Sequence, residues 1–355
     1  MSDTSYPVYE HYGTNAQRLA FTPSPPATGQ PIYVWYETDT DFFYIFTTAW
    51  KGPFSSVSSA IVPEFCEGRL TTESGVPQSI TDRTAQGTIY FTPSTHSGVA
   101  TTSGKITLYN GSALVLLSFT ELSLALTLTS GKNYDVFVDY NSGTPQLVLS
   151  AAWTNDTTRA DALGVQNGII VKSGTSAYRW VGTIRASGAN VTADSGGGTT
   201  TQVGGQRFVW NAYNQLPRCL NVIDTTNTWA YTTDTIRQAN GAAGNKVEYV
   251  SGAAGVLVQA EVVASVQLNG NTTTAAKAGI GLDSTTAFSG LVGEVGIFTA
   301  AITTGHVITG RYRGYPGLGY HYVAWCEKGA NSTCNFVGDN GGDSSQSGLT
   351  AVILG

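Results

Sequence analysis

The chain has 355 residues, enough for two or three domains with cores of their own. Charged residues make up only 12% of it, against a usual share of about 25%. With 41% hydrophobic residues, this excludes both a disordered chain and a Glu/Lys-rich helical bundle. A net charge of −6 with 18 Lys and Arg leaves no basic stripe for nucleic acid, and no apolar run reaches the roughly 18 residues of a membrane span.

The N-terminus, Met1-Ser-Asp-Thr-Ser-Tyr-Pro7, lacks the basic and apolar regions of a signal peptide, so export by that route is not expected. Residues 1–52 read as a compact aromatic module. Its runs over 31–37 and 42–46 predict a hairpin about Thr38-Asp-Thr-Asp41, and it ends at Trp50. Residues 53–85, with Pro53, Pro63 and Pro77, read as an irregular connector.

Apolar residues then recur at period 2, the signature of strands. Over 134–140 the alternation puts Tyr134, Val136, Val138 and Tyr140 on one face, and Asp135 and Asp139 on a face expected to be partly wet. Asn110-Gly111 predicts a tight hairpin turn between 105–109 and 112–119, because both residues readily take positive φ. A turn at 141–144 leads into a strand over 146–152. A short helix is expected over 156–163, capped by Asn155 or Asp156 and ended by Gly164. Residues 86–194 therefore form a first β-domain, and the Gly/Thr-rich stretch 195–205 reads as a linker. Residues 206–355 form a second, with its longest strand over 256–268 and an apolar end, Val352-Ile-Leu-Gly355, that belongs in a sheet or against a partner. The expected fold is all-β: a small N-terminal β-hairpin module followed by two antiparallel, jelly-roll-like β-sandwich domains.

Little of this points to catalysis. His11, His96, His306 and His321 show no zinc-protease spacing, there is no Cys-x-x-Cys, and no nucleophile elbow or phosphate loop appears, so no cofactor and no metal is expected. Neighbouring carboxylates of the kind a glycosidase pairs occur at Asp39/Asp41, Glu64/Glu67, Asp135/Asp139 and Asp339/Asp343, but Asp39 and Asp41 also read as turn formers, Asp135 and Asp139 as a strand's wetter face, and 339–343 as a tight turn. Asn-x-Ser/Thr sequons, among them Asn155, Asn190, Asn271 and Asn331, follow from a Thr-rich composition. Cys326 and Cys334 flank a short loop and could form a disulfide or remain separate thiols. The Gly/Pro-rich stretch 310–319 concentrates Arg311, Tyr312, Arg313, Tyr315 and Tyr320, which suit either a glycan-binding loop or a packed core.

Asn15-Ala-Gln-Arg-Leu19, Pro31-Ile-Tyr-Val-Trp-Tyr-Glu-Thr-Asp-Thr40 and Ala49-Trp50 together resemble the N-terminal module of tailed-bacteriophage fibre proteins. The stretches 131–143, 153–159, 178–185, 207–214, 225–240 and 316–325 are similar to phage tail-fibre and minor virion structural proteins. The resemblance implies a virion structural protein made in the host bacterial cytoplasm, and no catalytic position comes with it. A homotrimeric tail fibre or receptor-binding component is expected, attached to other virion proteins through residues 1–52 and contacting a host surface glycan. A head fibre, capsid decoration or connector is the purely structural alternative, and a glycan depolymerase a third.

Overall fold

The computed structural model describes residues 8–21, 32–39, 42–46, 49–55, 64–198, 202–270, 274–297, 302–329, 333–339, 341 and 346–355. Strands account for 58% of the chain and helix for 4%, so the fold is all-β. Backbone contacts divide it into two compact units, Met1–Pro63 and Glu64–Gly355.

In the first unit four strands, Val8–Gly13, Ile32–Glu37, Phe42–Phe46 and Trp50–Ser55, pair in chain order. The expected hairpin is present, with Tyr36 opposite Phe43. The first two strands are parallel, so the connection between them must cross over, and it contains a helix, Asn15–Ala20, that the sequence reading missed. Its signal was present as a Thr14-x-x-Gln17 capping box: the Thr14 hydroxyl accepts from Gln17 N at 3.4 Å, and Gln17 Oε1 accepts from Thr14 N at 2.8 Å. Asp39 accepts from Asn15 N at 3.0 Å, so it caps this helix instead of turning on its own backbone.

In the second unit the largest sheet has 14 strands among the described residues. At its centre Val258–Gly270 pairs along its whole length with Ile302–Gly314, and on its other side with Gly348–Leu354 and Thr333–Val337. Gly348–Leu354 in turn pairs with Pro217–Ile223, which ties the apolar C-terminal segment into the sheet. Alternate residues, including Val258, Val262, Val266, Ile353 and Leu220, are buried with Trp325 and Phe336 in the largest core cluster. Each such side chain contributes roughly 1.5–3 kcal/mol when fully buried. A second cluster lies between a six-stranded sheet centred on Asn133–Asp139 and Thr175–Arg185 and the smaller sheets formed by Gly68–Thr71, Thr88–Pro93, Gly104–Tyr109 and their neighbours.

Several local readings are corrected by pairing. The supposed connector 53–85 holds the end of Trp50–Ser55 and two further strands, Gly68–Thr71 and Arg83–Gln86, that pair with Thr88–Pro93 and Thr192–Gly197. The Gly/Thr-rich stretch 195–205 is no linker: Thr192–Gly197 and Gly204–Arg207 pair with each other, and the latter runs parallel to Lys246–Ser251. Glycine is required there by close packing, because a Cβ at Gly204 would lie 1.6 Å from the Lys246 carbonyl oxygen. The helix expected over 156–163 is absent. Asn155 Oδ1 accepts from Thr157 N at 2.9 Å in a turn, and the Asp156 carbonyl accepts from Tyr320 N at 2.9 Å rather than continuing a helix. The 105–119 hairpin forms, but through a four-residue loop in which Asn110 Oδ1 accepts from Ser112 N and Ala113 N, both at 2.9 Å. The two-residue Asn-Gly turn occurs instead at Asn167-Gly168, where φ is 50° and 96° between the paired residues Gln166 and Ile169.

The wet face expected for Asp135 and Asp139 is also overturned: every residue of Asn133–Asp139 is buried. Asp135 accepts from Trp153 Nε1 at 3.0 Å, Trp180 Nε1 at 3.0 Å, Thr183 Oγ1 at 2.7 Å and Arg159 Nε at 2.8 Å. Arg159 also donates to the Gly252 carbonyl at 2.6 Å, and its guanidinium lies 4.7 Å from the Trp153 ring centroid. A carboxylate can be fully buried here because its lone pairs are met by donors from the 153–159 loop and the strand Thr175–Arg185.

Candidate functional site

The strands Pro217–Ile223, Gly348–Leu354, Val258–Gly270 and Ile302–Gly314 bury one set of alternating residues in the largest core and turn the other set outward. Because directly paired residues share a face, the register places Arg313 opposite Gln259, Arg311 opposite Glu261, and Val352 and Thr350 beside that same pair. These side chains line an open groove of about 570 Å³. An adjoining groove of about 450 Å³ shares Glu261 and Thr350 with it and extends toward Asn221 and Ile223.

The five residues predicted for glycan contact divide between two roles. Residues 310–314 belong to the strand Ile302–Gly314 and not to a loop, which corrects the sequence reading and makes the side chains alternate. Arg311 and Arg313 point outward. Arg311 Nη2 lies 3.1 Å from Glu261 Oε1, whereas Arg313 has no ion-pair partner among the described residues. Tyr312, between them, points inward, packs on the core and has its phenol pushed up by burial and then by Asp283. Tyr315 sits in the short connection before Gly319–Lys328 and is 67% exposed. Tyr320 is half-buried and donates its hydroxyl to Glu248, with the Arg185 guanidinium 3.5 Å from its ring centroid. Burial, reinforced by that hydrogen bond, pushes its phenol up. Arg311, Arg313 and Tyr315 are thus available to a ligand, and Tyr312 and Tyr320 hold the fold. Tyr315→Ala is expected to leave the melting temperature unchanged, while Tyr320→Ala costs about 2–3 kcal/mol, below the range for fully buried aromatics. Thermal melts of the two variants check this. The groove also uses Gln259, Glu261 and Thr350, which the sequence reading did not select although the alternation over 256–268 already placed Gln259 and Glu261 on one face.

Cys326 and Cys334 are free thiols, so the disulfide alternative is corrected. Their strands do not pair: Cys326 lies opposite Gly279 and Cys334 opposite Leu268. Burial pushes the Cys326 thiol up to about 12, and Cys334 Sγ lies 3.2 Å from the Ala275 carbonyl.

The described carboxylates of the candidate pairs are each engaged by other groups. Asp135 is saturated with donors, Asp139 accepts from Asn141 N and Gln146 Nε2, Glu64 pairs with Arg179 at 3.0 Å, and Glu67 accepts from Lys105 N at 2.8 Å. Asp41, Asp343, Asn271 and Asn331 lie outside the described residues. No three His, Cys, Asp or Glu side chains converge as metal ligands among the described residues, and no described helix is long and apolar enough to cross a membrane.

Glu327 is buried, and burial pushes its carboxyl up to about 7 against the pull of Trp229 Nε1 at 2.7 Å, Arg237 Nη2 at 2.7 Å and Asn240 N at 3.1 Å. These partners tie the Ala239–Gly241 turn and the Thr228–Ala230 strand to Gly319–Lys328, which is a structural arrangement. Because the folded pKa lies above the ordinary value of 4.5, the folded state binds the extra proton between the two. The associated stability is complete below 4.5 and is lost as pH rises through about 7, a change of about 3 kcal/mol. Denaturant unfolding across pH 4–8 should show this loss, and Glu327→Gln should remove it.

No family model matches the chain, and no curated protein matches it. Among solved structures, the chain is similar to one titled "Structure of infectious bursal disease virus Gx strain", at 12% identity over 79% of this chain and 79% of that one. The TM-score of 0.20 is too low for that likeness to bear on fold or function.

Proposed function

We propose that this chain is a bacteriophage virion structural protein, a homotrimeric tail-fibre or receptor-binding component that attaches to other virion proteins through residues 1–52 and meets a host surface glycan with its second unit. The observation that carries the reading is the outer face of the long-stranded sheet. Arg313, without an ion-pair partner among the described residues, stands on an open polar groove beside Gln259, Thr350 and the Arg311–Glu261 pair. A flat, hydrogen-bonding surface with guanidinium donors suits hydroxyl and carboxylate groups of surface saccharides, and three copies would multiply weak contacts. The residue resemblance to phage fibre proteins supplies the virion setting. The test is Arg313→Ala with Tyr315→Ala in particles: lost adsorption to host cells at an unchanged melt supports the reading, and normal adsorption refutes it.

A purely structural role, as head fibre, capsid decoration or connector, is the second reading. It is favoured by apolar residues on and beside the same face: Leu291 is 72% exposed and lies opposite Arg311, and Val307 is 68% exposed opposite Ser265. Such a patch fits coverage by a sister subunit. Val307→Glu with Leu291→Glu should then convert a trimer to monomers in light scattering, whereas a receptor face would leave the trimer intact.

A further inference from the structure

Away from the long-stranded sheet, two cavities of about 270 and 350 Å³ meet at Ser103. The first is lined by Glu67, Ser94, Thr95, His96, Thr101 and Ser103. The second continues past Ser118, Thr120 and Thr144 over Phe119, Leu122 and Pro145. Hydroxyls dominate the walls, and among the described residues neither lining contains Lys or Arg. Together the cavities reach the range of about 300–1,000 Å³ common for small-ligand sites.

The polar groups are held in place by backbone bonds. Ser94 N donates to the Glu67 carbonyl at 3.2 Å, Thr101 N to the Pro93 carbonyl at 3.0 Å, and Thr95 N to the Val99 carbonyl at 2.9 Å. Glu67 Oε2 accepts from Lys105 N at 2.8 Å, which orients the carboxylate and leaves Oε1 without a partner among the described residues. The His96 tautomer follows from Asn214. Both protons of Asn214 Nδ2 go to the Cys66 and Gly68 carbonyls, at 2.7 and 3.2 Å, so its Oδ1 must accept from His96 Nδ1. That tautomer keeps Nε2 as an acceptor. Ser94 is 2% exposed, and its Oγ has no hydrogen-bond partner among the described residues, an uncommon condition for a buried hydroxyl.

Two acceptors and several hydroxyls, with no cation, favour a neutral ligand rich in hydroxyl donors over a phosphate or an acidic sugar. We propose that this trough binds a neutral oligosaccharide, with Glu67 Oε1, His96 Nε2 and the Ser94 hydroxyl taking ring hydroxyls and the Leu122–Pro145 patch receiving a ring's C–H face. The proposal is independent of the sheet face argued above.

Saturation-transfer NMR with a panel of neutral trisaccharides built from glucose, galactose, mannose and N-acetylglucosamine tests it, using the full chain with His96→Ala, Ser103→Trp and Arg313→Ala. His96 and Ser103 are exposed, so both variants should melt as the parent does. At least one trisaccharide is expected to bind at millimolar affinity, to lose about tenfold or more in His96→Ala, about 1.4 kcal/mol, and to fail in Ser103→Trp. Binding should persist in Arg313→Ala. The trough is overturned if no member of the panel shows transfer, if only an added uronate-containing trisaccharide does, or if both trough variants bind unchanged. Loss in Arg313→Ala alone would overturn it too, by assigning the saccharide to the sheet face.

Discussion

Asp135→Ala is expected to destabilise the second unit by about 3–5 kcal/mol, the range for removing one partner of a buried charge pair. The reason is what the truncation leaves behind. Arg159 loses its carboxylate at 2.8 Å, and two indole N–H groups, of Trp153 and Trp180, lose their acceptor inside a core. Trp180 stacks on Trp210 with ring centroids 5.5 Å apart, so the damage reaches the buried cluster these two rings form with Phe137, Val250 and Val256. Asp135→Asn keeps the shape and one acceptor oxygen but presents an amide to donors, and should fall between the parent and the alanine variant. Urea unfolding of the three proteins checks the order; a loss below about 1 kcal/mol in Asp135→Ala, the scale of an exposed ion pair, would show that the carboxylate is not structural.

Arg69→Met should cost at least about 3 kcal/mol, since it strands three carbonyls at about 1 kcal/mol or more each. Arg69 is fully buried and donates to Pro77 O at 3.2 Å, Gly355 O at 2.9 Å and the Asn214 carbonyl. It thereby joins three segments remote in sequence. Its guanidinium is held down to about 10, first by burial and then by the nearby positive charge of Arg218, which Asp194 offsets only in part. Methionine fills a comparable volume, so the expected loss comes from unpaired acceptors and not from a cavity. Hydrogen exchange should locate it: Gly355 and Leu216, which pair through both their N–H groups at 3.1 Å, should exchange faster in the variant. Unchanged exchange there would place the C-terminal strand's stability elsewhere.

The candidate surface was partly legible and partly not. Arg311 and Arg313 stand out in sequence as donors in a Gly- and Tyr-rich stretch, and the structure leaves them exposed, but it separates them from Tyr312 for a reason that a loop reading could not supply. A strand alternates its side chains, so neighbours in sequence face opposite ways. Their partners in the groove, Thr350 and Glu261, come from strands more than 35 residues away, brought alongside only by sheet register.

What the sequence determined by itself is the local chemistry: strands from period-2 alternation, and the hairpins over 32–46 and 104–119. These follow from interactions within a few residues, or from apolarity alone. Tertiary structure decided the rest. It made strands of the Gly/Thr-rich stretch by pairing Gly204–Arg207 with Lys246–Ser251, and it withheld a helix at 156–163 by engaging the Asp156 carbonyl with Tyr320. It also buried Asp135 on a face that alternation marks as wet. Sheet hydrogen bonds and buried-charge partners are non-local, so whether a polar residue faces water or a ring of donors depends on which distant segment packs against it.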